Sequence, residues 1–478
     1  MEIVTFFLGN FVFPLLVSII VIYIERYIND KKENKINFIF EEDNKHKFFK
    51  AKSGEILPVE AEGEILLGLG KKEDFTKDVL KEAVAKLIRF LADKDISTIS
   101  FSANNTDLDD KDFCLAIVEA SMVASYKFDH YKSEKACQKL SEINFDESLS
   151  PFKADLEELS NVLEGQFLAR DLVNLRSNDI YPETLAQAAH DNLADLGVDV
   201  KIYGKDEILD MGLTAFYEVA KGSDKEPKFI VMEYLKGDNE PLALVGKGLT
   251  YDAGGYSIKT SAGMKTMNSD MGGSGTVIGA MKAIASNKLK VNVVAIVAAC
   301  ENLISGRAYK PGDIIKARNG MTIDVDNTDA EGRITLADAV NYTATEYKPS
   351  LLVDLATLTG AVLVALGETY TGAVTNDDAA FAKVKKASED SDEKIWQLPN
   401  DPFFKTYNKS ENGDVKNSGG RMAGSITAGQ FIENFIEEVP WVHLDIAGTA
   451  YLSAPQGINE TGATGVHVKT LYNLAKNY

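Results

Sequence analysis

The segment Asp326–Arg333, DNTDAEGR, puts three carboxylates, a glycine and an arginine into eight positions directly ahead of a helix-like run, ITLADA. A second stretch, Leu244–Gly273, reads LVGKGLTYDAGGYSIKTSAGMKTMNSDMGG and shares its odd inventory. Together the two offer Lys247, Asp252, Lys259, Asp270, Asp329, Glu331 and Arg333, while none of the chain's five histidines and no cysteine falls in either. A nucleophile–histidine triad is therefore disfavoured here. If Asp252, Asp270, Asp329 and Glu331 converge, they raise one another's pKa and stay ionised only with cations among them. Divalent metals are the natural counter-charge. Oxygen-rich ligands suit magnesium, manganese or zinc, and four acids exceed what one catalytic metal normally needs, so the inventory implies a two-metal site.

Each piece also has a plainer reading. NTDAEGR alone makes an Asx-turn in which Thr328 or Asp329 caps the following helix and Glu331 sits favourably in its first turn. VGKG reads as a solvent-exposed turn; it is no phosphate loop, because G-x-x-x-x-G-K-[ST] is absent and GGSGTVIG has the wrong spacing for G-x-G-x-x-G. Asp252 ahead of two glycines can simply open a tight turn, and Lys259 can be a solvated surface lysine. The coincidence of all of them is what favours the metal site.

These residues must be positioned by a larger framework. At 478 residues the chain is long enough for about two domains, and 45% apolar with 26% charged residues fits globular ones. From about Gly165 to the end, apolar strand-like runs (LALVG, NVVAIVAAC, LLVDLAT, WVHLDIAG) alternate with helix-length amphipathic segments. That pattern predicts an α/β domain over residues 165–478, with a mostly parallel central sheet and helices on both faces. In such sheets ligands gather at the carboxyl ends of the strands. Ahead of it, residues 36–155 alternate INFIF, EILLGLG and ISTISF with FTKDVLKEAVAKLIRFLADK and FCLAIVEASMVASY, which predicts a smaller N-terminal α/β domain without a chemical constellation. The acid-rich stretch from Ala154 to Leu163 reads as a linking helix.

Composition narrows the partners and the compartment. Seventy-two acidic against 51 basic residues, net −21, would repel a phosphate backbone, so nucleic acid is disfavoured as a partner. Cys114, Cys137 and Cys300 are far apart and form no C-x-x-C, which fits a reducing compartment rather than a disulfide framework. Within the hydrophobic N-terminal segment, residues 1–30, Ile3 to Ile24 carries no charge and is long enough to span a bilayer as a helix. Arg26, Lys31, Lys32 and Lys35 follow it, so an anchor here would leave the rest of the chain on the cytoplasmic face. The competing reading is an N-terminal extension with no membrane role; Asn10 and Pro14 inside the run favour it.

The two acid-bearing stretches resemble the leucyl (cytosol) aminopeptidases, dinuclear metallopeptidases whose signature N-T-D-A-E-G-R is intact at Asn327–Arg333. A second family pattern, G-K-G-x-T-[FY]-D-[SA]-G-G followed by a lysine and D-M-G-G, is matched from Gly246 to Gly273; ATLTGA at Ala356–Ala361 and WVHLDIAG from Trp441 match as well. The resemblance covers about Gly165 to Leu471; the first domain, macro-like in that family, is matched only by size and position. Ala253 stands where serine is usual and Thr260 where proline is usual, the NLRSNDIYPETLA segment is divergent, and the hydrophobic N-terminus is foreign to the family. None of these departures touches a metal-binding or catalytic side chain.

By resemblance, Lys247, Asp252, Asp270, Asp329 and Glu331 hold two divalent ions, manganese or zinc, with Asp252 and Glu331 bridging, and Lys259 and Arg333 are catalytic. Lys247 must then be a neutral amine, which neighbouring dications can enforce. A bicarbonate gripped by Arg333 takes the role of base, which suits a guanidinium fork. Met267, Thr357, Gly360, Ala447 and Ala450 line an apolar pocket for leucine-like side chains; the plainer reading of these five is core packing. The substrates implied are peptides with a free N-terminus, the assembly a homohexamer with active sites facing its interior, and the location the cytoplasm, with a tether through residues 3–24 if the anchor is real. Two rivals stand beside this reading, a DNA-binding regulator of the same fold and an unrelated two-metal phosphatase. Salt-sensitive gel retardation would reveal the first, and preference for p-nitrophenyl phosphate over leucine p-nitroanilide the second.

Overall fold

The computed structural model describes residues 21–23, 34–59, 63–94, 96–135, 140–145, 151–238 and 240–478. The chain divides into two compact units, Met1–Leu163 with Ala454–Glu460, and Glu164–Ser453 with Thr461–Tyr478. The division falls inside one helix, Lys153–Asn174, so the linking helix expected at Ala154–Leu163 continues well beyond its expected end.

Among the described residues the first unit has six strands, β1 (Val21–Tyr23), β2 (Asn34–Phe40), β3 (Ile56–Val59), β4 (Glu64–Gly70), β5 (Thr98–Phe101) and β6 (Glu142–Phe145), in the order β1-β6-β5-β2-β4-β3. All neighbours run parallel except β3 on β4. The helices Lys77–Leu91 and Asp110–Ser125 start where Thr76 and Asp109 accept the backbone N–H groups of Val79 and Asp112, so each begins at a residue type suited to N-capping. Phe38, Phe101 and Phe113 meet in the core, stacked in one pair and edge-on in the other. Most of the hydrophobic run Ile3–Ile24 lies outside the described residues; Val21–Tyr23 within it pairs with Glu142–Asn144 as a strand. No described helix is long and apolar enough to cross a membrane.

The second unit carries an eight-stranded sheet. Its strands are β7 (Asp199–Tyr203), β8 (Lys228–Leu235), β9 (Leu242–Asp252), β10 (Asn292–Asn302), β13 (Leu351–Ala356), β14 (Thr371–Thr375), β15 (Ile395–Gln397) and β17 (Trp441–Asp445). A separate three-stranded sheet takes β11 (Ile314–Lys316), β12 (Thr322–Asp324) and β16 (Val415–Lys416). The large sheet runs β15-β14-β17-β13-β9-β10-β8-β7. Its centre, β17-β13-β9-β10, is parallel, as the four apolar runs predict, and antiparallel pairs flank it at β14 on β17 and β8 on β10. The central strands are buried nearly throughout, because helices cover both faces of a parallel sheet; this is why they read as continuous apolar runs without alternation.

Candidate metal centre

The carboxyl ends of β9, β10, β13 and β17 lie side by side, and the acids converge there. Asp252 is the last residue of β9, Asp270 follows the short turn Met267–Ser269, and Glu331 is the first residue of the helix Glu331–Tyr347. One carboxylate oxygen each from Asp252, Asp329 and Glu331 lie within 4.8 Å of one another. Asp270 joins them through Lys247, whose Nζ lies 2.7 and 2.8 Å from its two oxygens and 3.1 Å from Glu331 Oε1. Lys259 reaches in from the other side, 2.8 Å from Asp252 and 2.6 Å from Asp329. All seven chemistry-bearing residues of the two stretches are thus within one cluster or next to it, since Arg333 occupies the first turn of the same helix as Glu331.

Most of the plainer readings do not survive this geometry. VGKG is no exposed turn: Lys247 lies inside β9 and is buried. Thr328 and Asp329 do not cap the helix, whose N-cap is Ala330 without a side-chain bond; the Thr328 hydroxyl donates to the Gly254 carbonyl, and Asp329 faces Lys259. Two local turns are present as expected. Asn327 Oδ1 accepts the Asp329 N–H, and Asp252 Oδ1 accepts the Gly254 N–H, where Gly254 takes a left-handed φ of +87°. Gly332 serves close approach instead, for a methyl group there would lie 2.4 Å from Lys247 Cε.

The electrostatics show a shortage of positive charge. Burial alone would depress Lys247, but the carboxylates of Asp270, Glu331 and Asp252 outweigh it and hold the amine above the ordinary lysine range. Lys259 is raised in the same way, chiefly by Asp252 and Glu331 working against burial. Even so, burial and the neighbouring Asp252 push Glu331 up to about 8, and burial foremost pushes Asp270 up to about 6. Two ammoniums do not neutralise four acids in a water-poor pocket, and the buried Glu331 Oε2 has no hydrogen-bond partner among the described residues. The donor set of carboxylate oxygens plus one amine therefore fits divalent ions, with Lys247 a ligand only once its proton has left. Arg333 is buried, its pKa lowered to about 10 by burial, and it has no carboxylate within ion-pair distance among the described residues. A desolvated guanidinium has the planar fork that suits an oxyanion.

Of the five pocket candidates, Thr357 touches the cluster directly. The Thr357 hydroxyl donates to Asp270 and its carbonyl accepts from Lys247. Met267 and Ala447 are half-buried, Ala450 is buried, and the exposed Gly360 opens the helix Gly360–Leu366.

Several residues that hold this site were not singled out by sequence reasoning. A register shift at the Cys300–Glu301 step, where β9 carries the extra residue Thr250, sets Asn302 opposite Asp252, and its amide donates to Asp252 Oδ1 at 2.7 Å and to the Thr328 carbonyl at 2.9 Å. Asn417, directly after β16, accepts the N–H groups of Asp326 and Asn327 and donates to the carbonyls of Asn327 and Ala330. Asn268 donates to the carbonyls of Val173 and Leu175, which anchors the turn ahead of Asp270. The only trace of Asn302 in the sequence is a polar pair, Glu301–Asn302, closing an apolar run; Asn417 leaves none.

Fold and site together define a two-domain α/β protein with a buried carboxylate–lysine centre at the carboxyl edge of a parallel sheet. Residues 167–472 match the catalytic domain of the cytosol aminopeptidase family and residues 36–135 its N-terminal domain. The chain belongs to the cytosol aminopeptidase family. It is 46% identical to a probable cytosol aminopeptidase of Clostridium tetani over 95% of this chain and 96% of that one. It is likewise 46% identical to the corresponding protein of Treponema denticola, over 86% of this chain and 88% of that one. Among solved structures it is similar to the bottromycin maturation enzyme BotP in complex with Mn, with a TM-score of 0.86, 28% identity, and coverage of 93% of this chain and 99% of that one.

Proposed function

We propose that this metal-dependent aminopeptidase removes N-terminal residues, preferably leucine-like ones, from peptides by means of two divalent ions, manganese or zinc. Lys247, Asp252, Asp270, Asp329 and Glu331 would hold the ions. The observation that carries this reading is the meeting of buried Asp252 and Glu331 with half-buried Asp329 in one cluster, in a chain whose two parts both match the family. When bound, such ions supply a hydroxide-like water near neutral pH and polarise the scissile carbonyl.

The chain's own groups do the rest. Lys259, whose side chain is 19% exposed, presents its ammonium to the substrate's carbonyl oxygen, where negative charge develops. Arg333 would hold a bicarbonate in two-point fashion, which would supply the proton-carrying base that the clusters, having no histidine, lack. Met267, Thr357, Gly360, Ala447 and Ala450 receive the side chain of the residue to be released. Catalysis in this reading belongs to residues 165–478, and residues 36–155 form an assembly domain. A homohexamer in the cytoplasm is the matching assembly and place, and a tether through residues 3–24 is tested by whether the full chain pellets with membranes.

Leucine p-nitroanilide is the substrate that tests the reading. The protein is expected to cleave it, to spare its N-acetylated counterpart, whose nitrogen has lost its metal-binding lone pair, and to stop on chelation. Equal cleavage of both would sink the exopeptidase assignment. Failure of bicarbonate to restore activity lost in carbonate-depleted buffer would remove the oxyanion from the role given to Arg333.

A further inference from the structure

Asp445 ends β17 beside the end of β13, is buried, and none of the roles assigned above uses it. Its carboxylate reaches into two loops. Oδ1 accepts the N–H groups of Leu358 at 3.2 Å, Thr359 at 3.4 Å and Ala447 at 3.3 Å, and Oδ2 accepts the Thr359 hydroxyl at 2.5 Å. Thr359 in turn caps the helix Gly360–Leu366 by accepting the Val362 N–H at 3.2 Å, and its oxygen lies 2.8 Å from the buried Ser425 hydroxyl. With its proton given to Asp445, Thr359 accepts from both Val362 and Ser425, so its full hydrogen-bonding capacity is in use.

The two loops joined in this way are the ones that carry the pocket candidates. Thr357 and Gly360 flank Leu358 and Thr359 on one side, and Ala447 and Ala450 lie on the other. They face each other across Gly272, where a methyl group would stand 3.1 Å from Thr357 Cγ2 and 3.3 Å from Ala450 Cβ. Nothing else in either loop offers a charged acceptor to both, and charge-assisted bonds from several backbone donors fix a loop more firmly than neutral ones.

We propose that Asp445, acting through Thr359, is a positioning residue that sets the separation of the two pocket walls and thereby the preference for a branched, leucine-sized side chain. This rests on the aminopeptidase reading and on the pocket assigned to it. Asp445 touches neither substrate nor metal in this role, so its removal changes selectivity while the metal cluster keeps its ligands.

The test compares leucine and alanine p-nitroanilides on the full-length, metal-loaded protein as wild type, Thr359→Val, Thr359→Ser and Asp445→Asn. Wild type should prefer the leucyl substrate. Thr359→Val, which keeps the shape but cannot donate to Asp445, should lose about tenfold in kcat/KM on the leucyl substrate and no more than about twofold on the alanyl one, the scale on which a hydrophobic pocket discriminates side chains. Metal content should match wild type, and Thr359→Ser should restore the preference. If Thr359→Val does not fold, Asp445→Asn carries the same criterion. Equal losses on both substrates, an unchanged preference, or loss of metal from the folded variant would each overturn the proposal. Wild type inactive on both anilides would overturn the aminopeptidase reading itself, an outcome distinct from an active enzyme whose selectivity ignores Thr359.

Discussion

Lys247 and Lys259 divide four acids between them, Lys247 facing Asp270 and Glu331 and Lys259 facing Asp252 and Asp329. Their burial differs, and so do their expected roles. Lys247 is sealed in β9, whereas Lys259 keeps one side open to an incoming substrate. Glu331→Ala is therefore expected to abolish activity together with bound metal, measured by elemental analysis of the purified protein. Lys259→Ala should lower kcat by about 10²–10³-fold, the typical cost of losing one donor to a developing oxyanion, with metal content near that of wild type. An unchanged kcat in that variant would take Lys259 out of the reaction.

Elements, not single residues, bring the acids together. The extra residue Thr250 in β9 brings Asn302 opposite Asp252, and the pairing of β16 with β12 delivers Asn417 to the loop that carries Asp329. Side-chain amides suit this work because each supplies both donors and an acceptor without adding charge to a crowded site. Asn302→Ala should weaken metal binding by about 10–100-fold, the usual loss when a group that orients a metal ligand is removed, while the circular dichroism spectrum stays that of the wild type. Metal affinity equal to wild type would mean that the strand ends hold Asp252 unaided.

At the scale of the whole catalytic unit, a buried polar set joins β13 to β17. His443 Nδ1 lies 2.7 Å from Asp354 Oδ1, and Trp441 Nε1 donates to Asp354 Oδ2 at 2.6 Å. Burial would lower the His443 pKa, but Asp354 outweighs it and the net shift is upward from 6.5. A histidine raised on folding stabilises the fold fully below its unfolded pKa and loses that contribution as pH climbs through the higher folded value. Denaturant unfolding of metal-loaded wild type and His443→Asn should therefore show its largest stability gap at about pH 6, narrowing towards pH 9. A gap that widens with pH would mean that His443 is buried neutral.

Residue types and their spacing carry the class of chemistry and the centre of the fold. Acids and lysines without histidine or cysteine leave few options but divalent ions, and four apolar runs of strand length between helix-length segments read as strands covered on both faces. Those are local properties, written in residue type and spacing, and the family motifs made them legible at Asn327–Arg333 and Gly246–Gly273. The flanking strands β7, β8, β14 and β15 were not read from the sequence: β7 and β15 are short and partly exposed, β14 is five residues with two threonines and a glycine, and the apolar run of β8 suits a buried helix as well as a strand. Only the tertiary structure decided that Thr328 would bind the Gly254 carbonyl instead of capping a helix, and that Asn302, Asn417 and Asp445 would hold the loops of the site. Their hydrogen-bond partners lie from 2 to 91 residues away along the chain, and a choice among competing donors over such distances is made by which strands become neighbours, a property of the folded sheet that no window of sequence contains.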